Sequence, residues 1–139
     1  MQIGTAAEQS RVSPKTIRYY ESVGLIAPAR RTASGYREYG ERDVQTLRFI
    51  QRSRSLGFSV SDVSRLLNLW QDRDRQSARV KALANRHVTE IDRKMAELRG
   101  MRETLVHLIA RCHGDDRPDC PILEDLASAP APGTNGSNR

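Results

Sequence analysis

The sequence predicts a mainly α-helical protein in which a helix-turn-helix head with a small wing precedes one long helix. Three observations predict this class. Apolar residues recur at helical spacing, Ser-Pro and glycine signals divide the first sixty residues into short elements, and no proline interrupts residues 74–111. With 139 residues, the chain has room for one small domain and an appended element.

Two short helices open the chain. Apolar residues at helical spacing predict a first helix over residues 3–10, with Thr5 as its cap. Ser13 and Pro14 are the residue types favoured at the N-cap and the first position of a helix, and Gly24 is typical of a helix end. Two helices joined by a tight turn within about two dozen residues form a helix-turn-helix.

A hairpin and two further helices are predicted to complete the head. The Ser34-Gly35 pair lies between short extended stretches, which indicates a small hairpin or wing. A third helix is expected from Glu41 to about Leu56, and a fourth is expected to be capped by Ser59. Their expected buried residues are Val44, Leu47, Phe49 and Ile50 on the third helix, and Val60, Val63, Leu66, Leu67 and Trp70 on the fourth.

A long helix is predicted to follow, and its apolar positions step alternately by four and three residues, which is a heptad seam. At a rise of ~1.5 Å per residue, such a helix is roughly 55 Å long. Because this length outreaches so small a head, we expect the seam to pair with the same helix of a second chain. The alternative is that the seam packs on its own head. The seam consists of Ala84, Val88, Ile91, Met95, Leu98, Leu105 and Ile109.

The end of the chain differs in composition from the long helix that precedes it. Pro121 indicates the start of a short amphipathic helix, with Cys120 at its N-terminus, and the Pro-, Gly- and Ser-rich tail is expected to be disordered. We therefore predict four regions: a head over residues 1–72, a long helix over residues 73–111, a loop and short helix over residues 112–127, and a tail over residues 128–139.

Positive charge is concentrated in the head. Residues 1–60 contain ten Lys and Arg against five acidic residues, whereas the remainder contains thirteen against twelve. This asymmetry favours a polyanion, such as nucleic acid, contacted at one end of the molecule, although a solvated basic surface has the same composition. There is no secretory signal and no apolar run of the ~20 residues that a membrane span needs, so a cytoplasmic location is expected. A disulfide is the less expected role for cysteines there.

The second helix is the candidate reading element, because its N-terminal turns enter the major groove in helix-turn-helix proteins. Arg18 is suited to a bidentate contact with guanine, and Lys15 can reach a base or a phosphate. Tyr20, Tyr36 and Arg37 are suited to the phosphate backbone. One of Tyr19 and Tyr20 is expected in the core, and Glu21 is expected to pair with an arginine. The complete predicted DNA-binding set is Lys15, Thr16, Arg18, Tyr19, Tyr20, Arg31, Gly35, Tyr36, Arg37 and Arg54.

Three segments resemble the MerR family of bacterial transcription regulators: KTIRYYESVGLI at residues 15–26, GYREY at residues 35–39 and LGFS at residues 56–59. The resemblance extends from residue 1 to about residue 127. It implies a winged helix-turn-helix DNA-binding head, a long dimerisation helix that forms an antiparallel coiled coil, and an effector site beyond that helix.

The segment CHGDDRPDCPIL at residues 112–123 resembles the metal-binding loop of the copper-efflux branch of that family, the CueR/HmrR type. By this similarity, Cys112 and Cys120 are the ligands of Cu(I), or of Ag(I) or Au(I). Soft thiolates suit such ions. In zinc- and mercury-responsive relatives a cysteine occupies the position of Ser77. The resemblance therefore implies that Ser77 of the partner subunit lies near the metal without binding it, and a plain helix cap is its other role.

The resemblance also implies a mechanism. A homodimer binds promoter DNA with and without metal, and the metal-bound form distorts the DNA so that RNA polymerase can engage both promoter elements. The controlled genes are then copper-efflux genes. The sequence contains no Ser/His/Asp set, no phosphate-cradling glycine loop and no paired carboxylates in a plausible pocket, so we do not expect an enzyme.

Other effectors remain open from the residues alone. His113 with Asp115, Asp116 or Asp119 could complete a zinc site, since zinc takes four ligands. A disulfide between Cys112 and Cys120 would make the protein a thiol-redox sensor. An iron–sulfur cluster is disfavoured because it needs about four cysteines. A metal chaperone or thiol enzyme would not need the basic head. The other histidines, His87 and His107, are expected to be surface or packing residues.

Overall fold

A computed structural model describes residues 1–115 and 117–128. It is mainly helical, as the sequence predicts, and it divides into two compact units, residues 1–87 and the residues from Val88 onward. Asp116 and the expected disorder of residues 129–139 lie outside the described residues. The elements in chain order are α1 (Ile3–Ser10), α2 (Pro14–Ser22), β1 (Arg30–Arg31), β2 (Arg37–Glu38), α3 (Glu41–Ser55), α4 (Val60–Gln71), α5 (Ser77–Arg111) and α6 (Pro121–Ala127).

The first two helices form the predicted helix-turn-helix. Ser13 caps α2, because its Oγ accepts a hydrogen bond from the Thr16 N–H at 3.1 Å. The prediction that Thr5 caps α1 is wrong. The extended residue at the N-cap is Gln2, whose carbonyl accepts the first helical bond from Ala6, so Thr5 lies inside the helix.

The hairpin lies where the Ser-Gly pair predicts it. Its strands are antiparallel, with Arg30 opposite Glu38 and Arg31 opposite Arg37. Gly35 has a φ of +84°, a left-handed conformation that glycine adopts without strain. The Thr32 N–H donates to the Tyr36 carbonyl at 2.8 Å and closes the turn. The tip of the wing is therefore a tight, hydrogen-bonded turn with an exposed Tyr36 ring.

The core of the head lies between α1, α2, α3 and α4. Trp70, which the helical pattern assigns to the buried side of α4, is 41% exposed, and the neighbouring Leu69 is buried instead. The indole stacks on Phe49, with ring centroids 4.5 Å apart. Because Phe49 itself packs at the margin of the core, the ring that stacks on it stays partly in solvent. The fully buried side chains are Ile17, Val44, Leu47, Ile50 and Val63.

The long helix α5 runs unbroken for 35 residues. The larger seam residues, Val88, Ile91, Met95, Leu98, Leu105 and Ile109, are exposed. Charged residues away from the seam pair along the helix, where Arg93 contacts both Glu90 and Glu97. In the described part of the chain, no helix is both long and apolar enough to cross a membrane.

Candidate nucleic-acid interface and metal site

Helix α2 has one buried face and one exposed face. Ile17 and Tyr20 point into the core, so Lys15, Arg18 and Tyr19 lie on the exposed side. Thr16 is half-buried, and its hydroxyl accepts a hydrogen bond from Ser13 Oγ at 2.8 Å. The N-terminal cap and the apolar inner face together fix which side chains the helix presents outward.

The two adjacent tyrosines have different environments. Tyr20 is 5% exposed and belongs to the core, whereas Tyr19 is 51% exposed. Their ring centroids are 5.9 Å apart. The sequence does not decide which tyrosine is buried. In the structure it is Tyr20, and its burial removes it from the surface available to a nucleic acid.

The wing and α2 share a cleft of about 230 Å³. Three guanidinium-bearing residues, Arg18, Arg31 and Arg37, line it together with Gly35 and Tyr36. Arg31 donates from Nη1 to the Gly35 carbonyl at 2.9 Å, which fixes that side chain along the wing. The structure thus brings together five of the predicted DNA-binding residues in one basic concave surface.

Other predicted residues lie outside this cleft. Lys15, Thr16 and Tyr19 are on α2 but do not line it. Arg54, near the end of α3, donates from Nη1 to the Phe58 carbonyl at 2.7 Å. That bond holds Arg54 against the turn between α3 and α4.

A carboxylate lies among these cations. Glu21 Oε2 is 3.5 Å from Arg37 Nε, and Glu21 Oε1 accepts a hydrogen bond from the Tyr39 hydroxyl at 2.5 Å. Burial raises the pKa of Tyr39 to about 12, and the hydrogen bond to Glu21 acts in the same direction. The expected arginine partner of Glu21 is thus Arg37. Sequence reasoning missed the Tyr39 contact, because no local signal links residues 18 positions apart.

A capped helix-turn-helix, a wing and a basic cleft between them are the parts of a DNA-binding head. Residues 1–70 match the family model described as MerR HTH family regulatory protein, and residues 44–108 match the model described as MerR, DNA binding. The chain belongs to the MerR family of transcription regulators. The family resemblance read from the sequence is therefore confirmed, and the protein is a regulator and not an enzyme.

Named relatives cover almost the whole chain. This MerR-family protein is 56% identical over 131 residues to heavy metal-dependent transcription regulator 2 of Rhizobium meliloti (strain 1021), which covers 94% of this chain and 89% of that protein. It is 38% identical over 127 residues to the transcriptional regulator CueR of Salmonella typhimurium (strain LT2), covering 91% and 92%. The crystal structure of PbrR691 from Ralstonia metallidurans CH34 in complex with lead(II) is similar, with a TM-score of 0.79, 32% identity and coverage of 91% and 99%.

The two cysteines of this MerR-family chain bracket a loop after α5. Cys112 directly follows α5, and its N–H donates to the Ile109 carbonyl at 3.0 Å. Cys120 is the N-cap residue of α6, with Pro121 as the first helical residue, as predicted. Both thiols are free and half-buried. Each sulfur is therefore held next to a helix end and is available to a ligand.

The predicted oxygen and nitrogen ligands of this loop are more exposed than its two cysteines. His113, Asp115 and Asp119 are exposed, and the Asp115 carboxylate is already paired with Arg117 Nε at 2.8 Å. Among residues 1–115 and 117–128, no three His, Cys, Asp or Glu side chains come together as a ligand group. Ser77 is the exposed first residue of α5.

Proposed function

We propose that this MerR-family protein is a heavy-metal-dependent transcription activator that senses Cu(I) through Cys112 and Cys120. The observation that carries the proposal is the pair of free, half-buried thiols at the two ends of one loop. The relative named as a heavy metal-dependent regulator, at 56% identity, supports metal dependence. Ag(I) and Au(I) belong to the same class of soft monovalent ions and are expected to act similarly.

The chemistry of the loop favours this class of ion. Two thiolates neutralise a monovalent cation and leave a net charge of −1, whereas a divalent structural site needs further ligands. Cys112 and Cys120 would hold the ion as thiolate ligands. Cys112 follows the last residue of α5, and Cys120 is the N-cap residue of α6. The two proposed ligands therefore lie at the ends of these two helices.

The proposed partner of the head is double-stranded promoter DNA. The exposed residues of α2 would enter the major groove, with Arg18 as the residue that reads a base. The wing residues Arg31, Tyr36 and Arg37 would contact phosphates. Tyr20 is omitted from this proposal because it is buried. The remaining proposed contacts are Lys15, Thr16, Tyr19, Gly35 and Arg54.

We further propose that the protein acts as a cytoplasmic homodimer. The exposed seam of α5 would pair with the same helix of a second copy in an antiparallel coiled coil, and Ser77 of the partner subunit would lie near the metal-binding loop. Residues 1–72, 73–111 and 112–127 would then serve DNA binding, dimerisation and metal binding. Both dimer states bind DNA but favour different DNA shapes, and only one shape lets RNA polymerase engage the promoter.

In vitro transcription from the cognate promoter tests the metal assignment. Cu(I), Ag(I), Au(I), Zn(II) and an oxidant are added in parallel, with the metals in a thiol buffer. We expect Cu(I) to activate the wild type and to fail with Cys112→Ser or Cys120→Ser, while both variants still bind the operator. His113→Ala is the matched control and should respond like the wild type. Activation by Zn(II) but not Cu(I), or by oxidant alone, would overturn the proposal.

A sensor of a divalent metal is the second candidate. The similarity to PbrR691, whose crystal structure contains lead(II), favours it. Such a sensor would need ligands beyond Cys112 and Cys120, and His113 and Asp119 are the nearest by sequence. The His113→Ala control separates the two candidates, since a divalent sensor that uses this imidazole would lose its response.

A further inference from the structure

Glu21 is a nearly buried acid within a basic surface. It lies at the end of α2, and its side chain is 9% exposed. One carboxylate oxygen accepts the Tyr39 hydroxyl at 2.5 Å, and the other is 3.5 Å from Arg37 Nε. A carboxylate removed from water to this extent is costly unless it is paired, and these two contacts pair it.

We infer that Glu21 is a positioning residue of the DNA-binding surface, and that it fixes the guanidinium of Arg37 at the cleft between α2 and the wing. Arg37 is on β2, so this ion pair joins the wing to the reading helix. The inference rests on the proposed DNA-binding function and adds a residue to it that makes no DNA contact of its own.

The chemistry of the guanidinium explains how this positioning works. A guanidinium has five N–H donors in a fixed plane. The contact with Glu21 is at Nε, which lies 3.5 Å from Oε2, so the two terminal amino groups are left as donors for a phosphate oxygen pair. Because the side chain is held at one edge of its plane, it loses less conformational freedom when it binds a phosphate.

The carboxylate also reduces repulsion between cations. Arg18, Arg31 and Arg37 line the same cleft of about 230 Å³. Like charges at such a site repel one another, and Glu21 is the acid that contacts one of them. Its loss would make the cleft more positive but less ordered. Removing the Glu21 charge should therefore weaken specific DNA binding and leave nonspecific DNA binding unchanged or stronger.

The test measures operator binding and nonspecific DNA binding of Glu21→Gln over a range of salt concentrations. Glutamine keeps the shape and an oxygen acceptor for the Tyr39 hydroxyl but removes the charge. We expect roughly tenfold weaker operator binding, the size of one charge-assisted contact, with nonspecific binding unchanged or tighter. Glu38→Gln is the matched control, because it removes the same charge from an exposed neighbour of Arg37. It should leave the ratio of specific to nonspecific affinity unchanged.

A double-mutant cycle tests whether Glu21 acts through Arg37. In an Arg37→Gln background, Glu21→Gln should have less than about a twofold further effect on operator binding. An effect of full size in that background, or equal losses of specific and nonspecific binding, would overturn the inference. If Glu21→Gln does not fold, Arg37→Lys is measured instead. Lysine keeps the positive charge but lacks the planar set of guanidinium donors. Operator binding by this variant as tight as that of the wild type would refute the inference. Failure of the wild type to bind its operator would instead refute the proposed function.

Discussion

His87 Nε2 lies 2.8 Å from the carbonyl oxygen of Leu56, a contact that joins α5 to the turn between α3 and α4. The imidazole also stacks on Phe58, with ring centroids 4.0 Å apart. Gly57 lies next to the same imidazole, since a Cβ added at Gly57 would be 3.4 Å from His87 Nε2. Within residues 1–87, this hydrogen bond and this ring contact help to fix the first turns of the long helix to the head, together with the buried Leu83.

His87→Ala should lower the free energy of unfolding by about 1–2 kcal/mol, because it removes the hydrogen bond and the ring contact together. Urea denaturation measures the change. His107→Ala is the matched control, since His107 is an exposed histidine on the same helix. Equal stability changes in the two variants would contradict the structural role assigned to His87.

Arg18→Ala should weaken operator binding by ~1–3 kcal/mol if Arg18 reads a base. Fluorescence anisotropy with operator and scrambled DNA measures both the loss of affinity and the loss of specificity. Arg99→Ala removes the same charge from α5, outside the head, and should leave specificity intact. An unchanged affinity and footprint for Arg18→Ala would mean that a different element reads the DNA.

Thermal stability should fall between about pH 10 and pH 12 in a manner that depends on Tyr39, whose pKa is raised to about 12. The folded state holds the phenolic proton more tightly than the unfolded state does. The stabilisation is therefore complete below pH 10 and is lost as the pH rises to 12. Melting temperatures measured across this range should decline less steeply for Tyr39→Phe than for the wild type. Tyr36→Phe, at an exposed tyrosine, should decline as the wild type does.

Leu98→Asp should dissociate the proposed dimer, because Leu98 is 63% exposed in the single chain and lies in the centre of the seam. Burying a leucine side chain contributes about 1.5–3 kcal/mol, and a buried unpaired aspartate adds a further cost. Sedimentation velocity over a dilution series measures the oligomeric state. Lys94→Asp introduces the same residue off the seam and should remain dimeric. A monomeric wild type would contradict the prediction.

Features set by local chemistry were predictable from the sequence. The cap at Ser13, the helix start at Pro14 and the turn at Gly35 depend on neighbouring residues alone, and the structure has all three. The predictions for Thr5 and Trp70 are wrong because helical spacing cannot distinguish an N-cap from a first-turn residue, or a core position from its margin. For the same reason, the sequence does not decide which of Tyr19 and Tyr20 is buried.

Contacts distant in sequence were not predictable from one chain. The hydroxyl of Tyr39 reaches Glu21 only after the wing folds onto α2, and His87 reaches Leu56 only after α5 packs on the head. At the proposed metal site, the sequence predicts the positions of Cys112 and Cys120 at the two helix ends. Which ion these cysteines would select depends on the number and geometry of its ligands, and residue spacing does not predict either.

Because the seam of α5 is exposed in the single chain, the stability of this protein should depend on its concentration. A subunit that hides its leucines and isoleucines only against another subunit obeys mass action, so its melting temperature should rise with protein concentration. A few copies per cell would then be more vulnerable to proteolysis than many, and the level of the regulator would help to set its own lifetime.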